Sequence, residues 1–143
     1  HSANTGQALR EIHRVLRPGG RAVLMVYHRS PLYTYVYGAL LQGILRGGFR
    51  RHSLHELLQL HTDGAIARFY RPQEWHSLVT ASGFEIVHEQ VLGQKSEVVL
   101  LPPGRAKAAA MRLIPDWASR LVTNTCRQGS FLVTDLRKPA PTR

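Results

Sequence analysis

Arg17-Pro18-Gly19-Gly20-Arg21 constrains this chain more than any other stretch. Before it, Leu9, Ile12, Val15 and Leu16 recur at three- and four-residue spacing, the pattern of a helix with one apolar face. Arg10, Glu11, Arg14 and Arg17 fill the other faces, and Asn4 or Thr5 can cap the start. Proline disfavours helix at the residue before it, and Pro18 followed by Gly19 fits a type II turn. Ala22-Val23-Leu24-Met25-Val26-Tyr27 then runs almost unbroken apolar. Such a run predicts a strand buried on both faces, the mark of an α/β sheet. Helix, tight turn and buried strand form the second half of a right-handed crossover unit. Its first strand would lie before His1.

The pattern loosens after this strand. Pro31 to Leu45 predicts a helix ended by Gly47-Gly48, Ser53 can cap a short helix through Leu60, and Thr62-Asp63-Gly64 reads as a turn. Arg71-Pro72-Gln73-Glu74-Trp75 opens another helix, with proline near its first position and a carboxylate in its first turn. That helix carries Trp75, Leu78 and Val79 inward and ends at Ser82-Gly83. Residues 84–91 alternate apolar and polar, as in a half-exposed or edge strand. Residues 105–114 and 116–122 can be helical, split by Pro115. Ser130 to Leu136 is the last strand, and 139–143 form a frayed tail. There is no internal repeat.

Composition narrows the function classes. With 43% hydrophobic and 20% charged residues, the 143-residue chain is an ordinary globular mixture. The single Cys126 excludes a disulfide framework and a multi-cysteine zinc site, and as a lone cysteine it reads as a small buried hydrophobe. No apolar run approaches the length of a membrane span. The chain opens His-Ser-Ala-Asn, without Met or a signal segment. That opening reads as a cut, and the expected setting is cytoplasmic. Three histidines, His52, His55 and His61, invite a metal hypothesis. His55-Glu56-Leu57-Leu58-Gln59 fails it, because glutamine stands at the second ligand position. A net charge of +10 invites nucleic acid, with Gly47-Gly48-Phe49-Arg50-Arg51-His52 as the densest basic cluster. The other arginines are scattered and no nucleic-acid module is present, so this reading is the lesser one.

Three segments carry a likeness to a known family. Ala8-Leu9-Arg10-Glu11-Ile12-His13-Arg14-Val15-Leu16-Arg17-Pro18-Gly19-Gly20-Arg21-Ala22-Val23-Leu24 resembles the post-motif segment of class I S-adenosylmethionine-dependent methyltransferases. Tyr70-Arg71-Pro72-Gln73-Glu74-Trp75 through Ala81-Ser82-Gly83-Phe84-Glu85 resembles the family's later helix running into its sixth strand. Phe131 to Pro139 is similar to its final strand. The resemblance implies a Rossmann-like sheet of strand order 3-2-1-4-5-7-6 with the seventh strand antiparallel. Residues 22–28, 84–91 and 130–136 would be strands five, six and seven. Residues 1–138 would be the C-terminal portion of the methyltransferase domain, with 32–63 a helical insertion on the substrate side. The family's glycine-rich loop and acidic ribose-holding residue have no counterpart in this chain, so the partner it implies is the N-terminal half of the same fold. The chain by itself is then expected neither to bind S-adenosyl-L-methionine usefully nor to be active. Its Ala22–Tyr27 strand should have an exposed edge where strand four would pair.

The likeness also implies roles. Methyl transfer from a sulfonium needs alignment of the acceptor, exclusion of water and in some cases a general base. In open α/β sheets that site lies beyond the carboxyl ends of the strands, which here is Tyr27-His28-Arg29. His28 is the candidate catalytic proton acceptor from a small-molecule methyl acceptor. Tyr27, Arg29, Tyr33 and Asp63 are candidate substrate-binding residues, and His1 and Ser2 would border the methionine end of the cofactor. The competing readings put Tyr27 in the core, have His28 cap a loop, and make Asp63 an ordinary turn residue.

Overall fold

The computed structural model describes residues 4–32, 34–36, 39, 44, 47–53, 68–99, 101 and 104–140. Helix α1, Thr5–Val15, begins where the Asn4 side chain accepts the Gln7 N–H at 3.0 Å. At its other end the Lys138 ammonium donates to the carbonyls of His13 at 2.8 Å and Leu16 at 2.9 Å, satisfying acceptors that the helix cannot pair itself. The turn that follows has the Gly20 N–H on the Arg17 carbonyl at 2.8 Å, with Gly19 at φ +77°. That is the type II geometry, open to glycine at its third position. The turn is tied to the last strand by Gly19 N–H on Lys138 O and Lys138 N–H on Gly20 O, each 2.9 Å.

Strand β1, Arg21–His28, runs from this turn. Strand β2, Phe69–Tyr70, pairs with it in parallel at Tyr27 and His28. Helix α2, Pro72–Ala81, has proline in its first turn, and Glu74 accepts the Arg71 N–H at 3.2 Å. Strand β3, Glu85–Leu92, is followed by the short helix α3, Lys95–Val98, then α4, Arg105–Leu113, and α5, Asp116–Arg120. A π-helical turn, Leu121–Thr125, leads to strand β4, Phe131–Arg137.

The molecule is mixed α/β, with a four-stranded sheet of order β2-β1-β4-β3. β4 is antiparallel to both neighbours, Leu24 facing Thr134 on one side and Glu89 facing Thr134 on the other. The three long strands match the sequence expectation within a residue at each end. β3 is an edge strand, as its alternation predicts, and its register shifts at Val87, between Ile86 and His88. The two-residue β2 and the short α3 were not expected.

α1 and α2 cover the same side of the sheet. Leu9, Tyr70, Trp75, Val79, Phe84, Val91, Leu132 and Leu136 are buried there as one core, each large side chain contributing about 1.5–3 kcal/mol. The Trp75 indole N–H donates to the Thr134 hydroxyl at 2.9 Å inside it. The expectation of a strand buried on both faces is corrected here. Val23 is 68% exposed and Met25 64%, because both helices lie on the opposite face. The expected open edge is also amended: β2 covers β1 at Tyr27 and His28, and residues 21–26 have no strand on that side among the described residues. No helix among the described residues is long and apolar enough to cross a membrane.

Candidate functional site

The carboxyl end of β1 gathers buried polar groups. His28 is only 4% exposed, and Ser30, Thr34 and Ser130, on the two segments that meet at this end of the sheet, are also buried. β4 enters alongside: the His28 N–H donates to the Ser130 carbonyl at 2.7 Å, extending the ladder past the last strand residue. After β1 the chain turns sharply. Arg29 N–H bonds the Tyr70 carbonyl, Ser30 N–H the His28 carbonyl and Thr34 N–H the Ser30 carbonyl, each at 2.9 Å. The Gln128 side-chain oxygen accepts the Leu32 N–H at 3.0 Å and ties this turn to the approach of β4.

The imidazole of His28 is oriented by backbone. Its Nδ1 lies 2.9 Å from the Gly129 carbonyl oxygen. A carbonyl only accepts, so Nδ1 carries the hydrogen and the Nε2 lone pair is left as the acceptor of the neutral ring. Nε2 meets no partner among the described residues. The Thr34 hydroxyl is also buried and has no hydrogen-bond partner among the described residues, a costly arrangement in a protein interior unless something else satisfies it.

Tyr27 stands on the other face of the sheet, since adjacent strand residues alternate. Its ring lies 5.4 Å from that of Phe69 and 5.7 Å from that of Phe131, tilted 38° and 33°. The three form an aromatic row across β2, β1 and β4, continuous with exposed Met25 and Val23. Tyr27 and Phe131 are half-buried. Strand alternation therefore separates Tyr27 from His28, which the sequence reading had grouped. Arg29 is half-buried beyond the strand end. Tyr33, Asp63, His1 and Ser2 lie outside the described residues, as do His55 and His61 of the metal hypothesis.

Two features escaped the sequence. One is the contribution of Gln128, Gly129 and Ser130 to the turn and strand end that hold His28, which no local pattern signals. The other is a cleft of about 340 Å³ away from His28. It is lined by Glu89, Gln90, Val91, Leu92, Asn124, Thr125 and Arg127. Glu89, whose side chain is 11% exposed, pairs with both His76 and Arg127. Burial alone would raise its carboxyl, but the hydrogen bonds and charges of Arg127 and His76 outweigh that and hold it below the ordinary glutamate range. Arg127 adopts φ +54°, left-handed for a non-glycine residue. Cys126 next to it is exposed, correcting its reading as a small buried hydrophobe.

The described residues by themselves form no cradle for the S-adenosyl-L-methionine that the resemblance implies. Gly93 is the glycine among the described residues that follows a strand and precedes a helix. A Cβ there would meet Gly129 and Thr123 at 2.7 Å and Glu97 at 2.8 Å, so its bare side is filled by protein and offers no cradle. No group of three or more metal-ligating side chains occurs among the described residues.

No protein-family model matches the chain, and no curated protein matches it. Among solved structures it is similar to the crystal structure of the [4+2]-cyclase SpnF, with 17% identity and a TM-score of 0.43. The likeness covers 94% of this chain and 44% of that one, so this chain spans less than half its length.

Proposed function

We propose that this chain is the C-terminal part of a class I S-adenosylmethionine-dependent methyltransferase acting on a small-molecule acceptor. The observation that carries the reading is the strand arrangement. Three long strands lie in the order β1-β4-β3, with the last in sequence inserted between the others and antiparallel to both. This is the five-seven-six arrangement that the sequence resemblance calls for. Among the described residues, 21–26 have no strand on the side where a further one would continue the sheet, which agrees with a cofactor-binding half supplied elsewhere. S-adenosyl-L-methionine, held by that other half, would supply the methyl group as a sulfonium.

Within this chain, His28 takes the proton of the acceptor through Nε2, held in that orientation by the Gly129 carbonyl. The Thr34 hydroxyl gives a second buried polar contact near the same turn. Half-buried Arg29 follows His28 beyond the strand end, Tyr27 with Phe69 and Phe131 offers an aromatic surface on the opposite face, and Tyr33 and Asp63 belong to the substrate-side insertion. His1 and Ser2 would border the methionine end of the cofactor.

The test is methyl transfer from radiolabelled S-adenosyl-L-methionine by a polypeptide extended upstream of His1. His28→Gln should lower kcat by about 100-fold, the lower range for a general base. Undiminished turnover would remove His28 from the reaction. If the extended protein neither bound S-adenosyl-L-methionine nor consumed it, the family reading would fall.

A second reading rests on the exposed segment Phe49-Arg50-Arg51-His52, which closes the short 3-10 turn Gly48–Arg50. With the +10 charge it could engage nucleic acid. A salt titration with duplex DNA or RNA decides between them, since this reading requires binding that falls steeply with ionic strength.

A further inference from the structure

The carbonyl that orients His28 belongs to a peptide group whose other end is also gripped. The Gly129–Ser130 peptide is trans, as no cis peptide bond occurs among the described residues. A trans peptide is planar, with its C=O and N–H pointing in opposite directions. Its C=O, from Gly129, accepts the His28 Nδ1–H at 2.9 Å. Its N–H, from Ser130, donates to the Glu97 carboxylate at 3.0 Å. One rigid plane therefore connects the carboxylate to the imidazole. The Ser130 hydroxyl donates to the other carboxylate oxygen at 2.8 Å, and that oxygen also accepts the Gln94 N–H at 2.9 Å.

We propose that Glu97 is a positioning residue for His28, acting through the Gly129–Ser130 peptide to lock the imidazole in its Nδ1–H form. The inference rests on the proposed role of His28 as proton acceptor.

The physical case has two parts. A carboxylate accepting the peptide N–H polarises the whole amide and makes the opposite carbonyl oxygen a stronger acceptor. Unconstrained imidazole in water prefers the Nε2–H form, which would present a donor where the acceptor substrate needs a lone pair. Stabilising Nδ1–H is therefore what a base at Nε2 requires. The surroundings also keep the peptide from rotating. Gly129 is packed so closely that a Cβ would lie 2.3 Å from the Leu92 carbonyl oxygen and 2.7 Å from the Gly93 nitrogen. Glu97 itself rests against Gly93, where a Cβ would come within 2.8 Å of its carboxylate. The arrangement does the work of a carboxylate–imidazole pair with a peptide group placed between the two.

Long-range proton–nitrogen correlation NMR on the 143-residue chain reads the tautomer directly, without cofactor or acceptor. At about pH 8 an unperturbed imidazole is neutral, and His28 is identified among the eight histidines by the signals lost in His28→Gln. The expected wild-type result is Nδ1–H alone. Glu97→Ala should raise the Nε2–H share to about a third or more. Glu97→Gln, which keeps an acceptor oxygen but roughly halves the strength of the hydrogen bond, should raise it less. A wild-type His28 in the Nε2–H form overturns the proposal. So does a folded Glu97→Ala whose His28 stays wholly Nδ1–H. If Glu97→Ala fails to fold, Glu97→Gln decides, and an unchanged tautomer there overturns the relay. Because no step of the measurement involves methyl transfer, loss of the enzymatic reading leaves this result standing, and the reverse also holds.

Discussion

Replacing Gly129 with alanine tests the packing on which the site depends. A Cβ on Gly129 would stand 2.3 Å from the Leu92 carbonyl oxygen and 2.5 Å from its carbonyl carbon, where ordinary contact begins at 3.4 Å. The deficit is about 1.1 Å, and both of these atoms are backbone, so no side chain can swing aside to absorb it. The ends of β3 and β4 must separate, because Leu92 pairs with Phe131 just beyond. Overpacking of side chains costs about 1–3 kcal/mol, and a clash between two backbones belongs at the top of that range, about 3 kcal/mol. For a chain of this size that lowers the thermal midpoint by roughly 10 °C and the urea midpoint by about 1.5 M. The same displacement moves the Gly129 carbonyl away from His28 Nδ1, so the His28 NMR signals should change together with stability. Gly6→Ala is the control. Its nearest neighbours would be at 3.6 Å, at ordinary contact, and alanine in a helix is neutral or stabilising by up to about 1 kcal/mol. A Gly129→Ala protein within about 1 kcal/mol of wild type would refute the reasoning.

Further outcomes follow from the core and from the cleft beside Glu89. In the cycle Trp75→Phe and Thr134→Val, each single change leaves one buried partner of the 2.9 Å hydrogen bond unpaired, at about 1–3 kcal/mol. Urea unfolding of the double variant should show a loss smaller than the sum by about 1 kcal/mol; strict additivity would mean that the bond carries no coupling. Arg127→Ala and Arg127→Gly both lose the pair with Glu89, but only glycine relieves the left-handed backbone at φ +54°. Arg127→Gly should therefore melt above Arg127→Ala by about 1 kcal/mol, and equal stability would indicate no strain. The folded Glu89 carboxyl holds its proton more weakly than the unfolded one, whose ordinary value is 4.5. Below that value the unfolded state binds more protons, so this contribution is complete above the ordinary value and is lost as pH falls through the folded one. Wild type should lose more stability than Glu89→Gln between about pH 5 and pH 3, and parallel pH profiles would show that the pairs with His76 and Arg127 contribute nothing.

Much of the fold was legible because its signals are local. Pro18-Gly19-Gly20 specifies its turn whatever surrounds it, and the three- and four-residue spacing around Leu9 marks the face of α1 that meets the core. The proline-then-glutamate opening of α2 likewise carries its own chemistry. β2 was not legible, since two residues have no periodicity and pair only because β1 offers an edge. The exposure of Val23 and Met25 was misread for a related reason. An apolar strand shows that both faces can be buried, while which face is covered depends on where the helices land.

The candidate site divides the same way. His28 could be named from sequence because a histidine closing a buried strand reaches the end of the sheet where open α/β folds place their chemistry. Its hydrogen-bond direction, its separation from Tyr27 and its link to Glu97 could not. Residues 28, 97 and 129 meet only after β4 is inserted beside β1, and that contact across about a hundred positions leaves no trace in local spacing. The helix–turn–strand unit and the residue types at its end are written in local spacing. Which atoms of those residues are bonded, and which lone pair is left to act, follows only from the folded arrangement, because hydrogen bonding between distant segments depends on their positions in space.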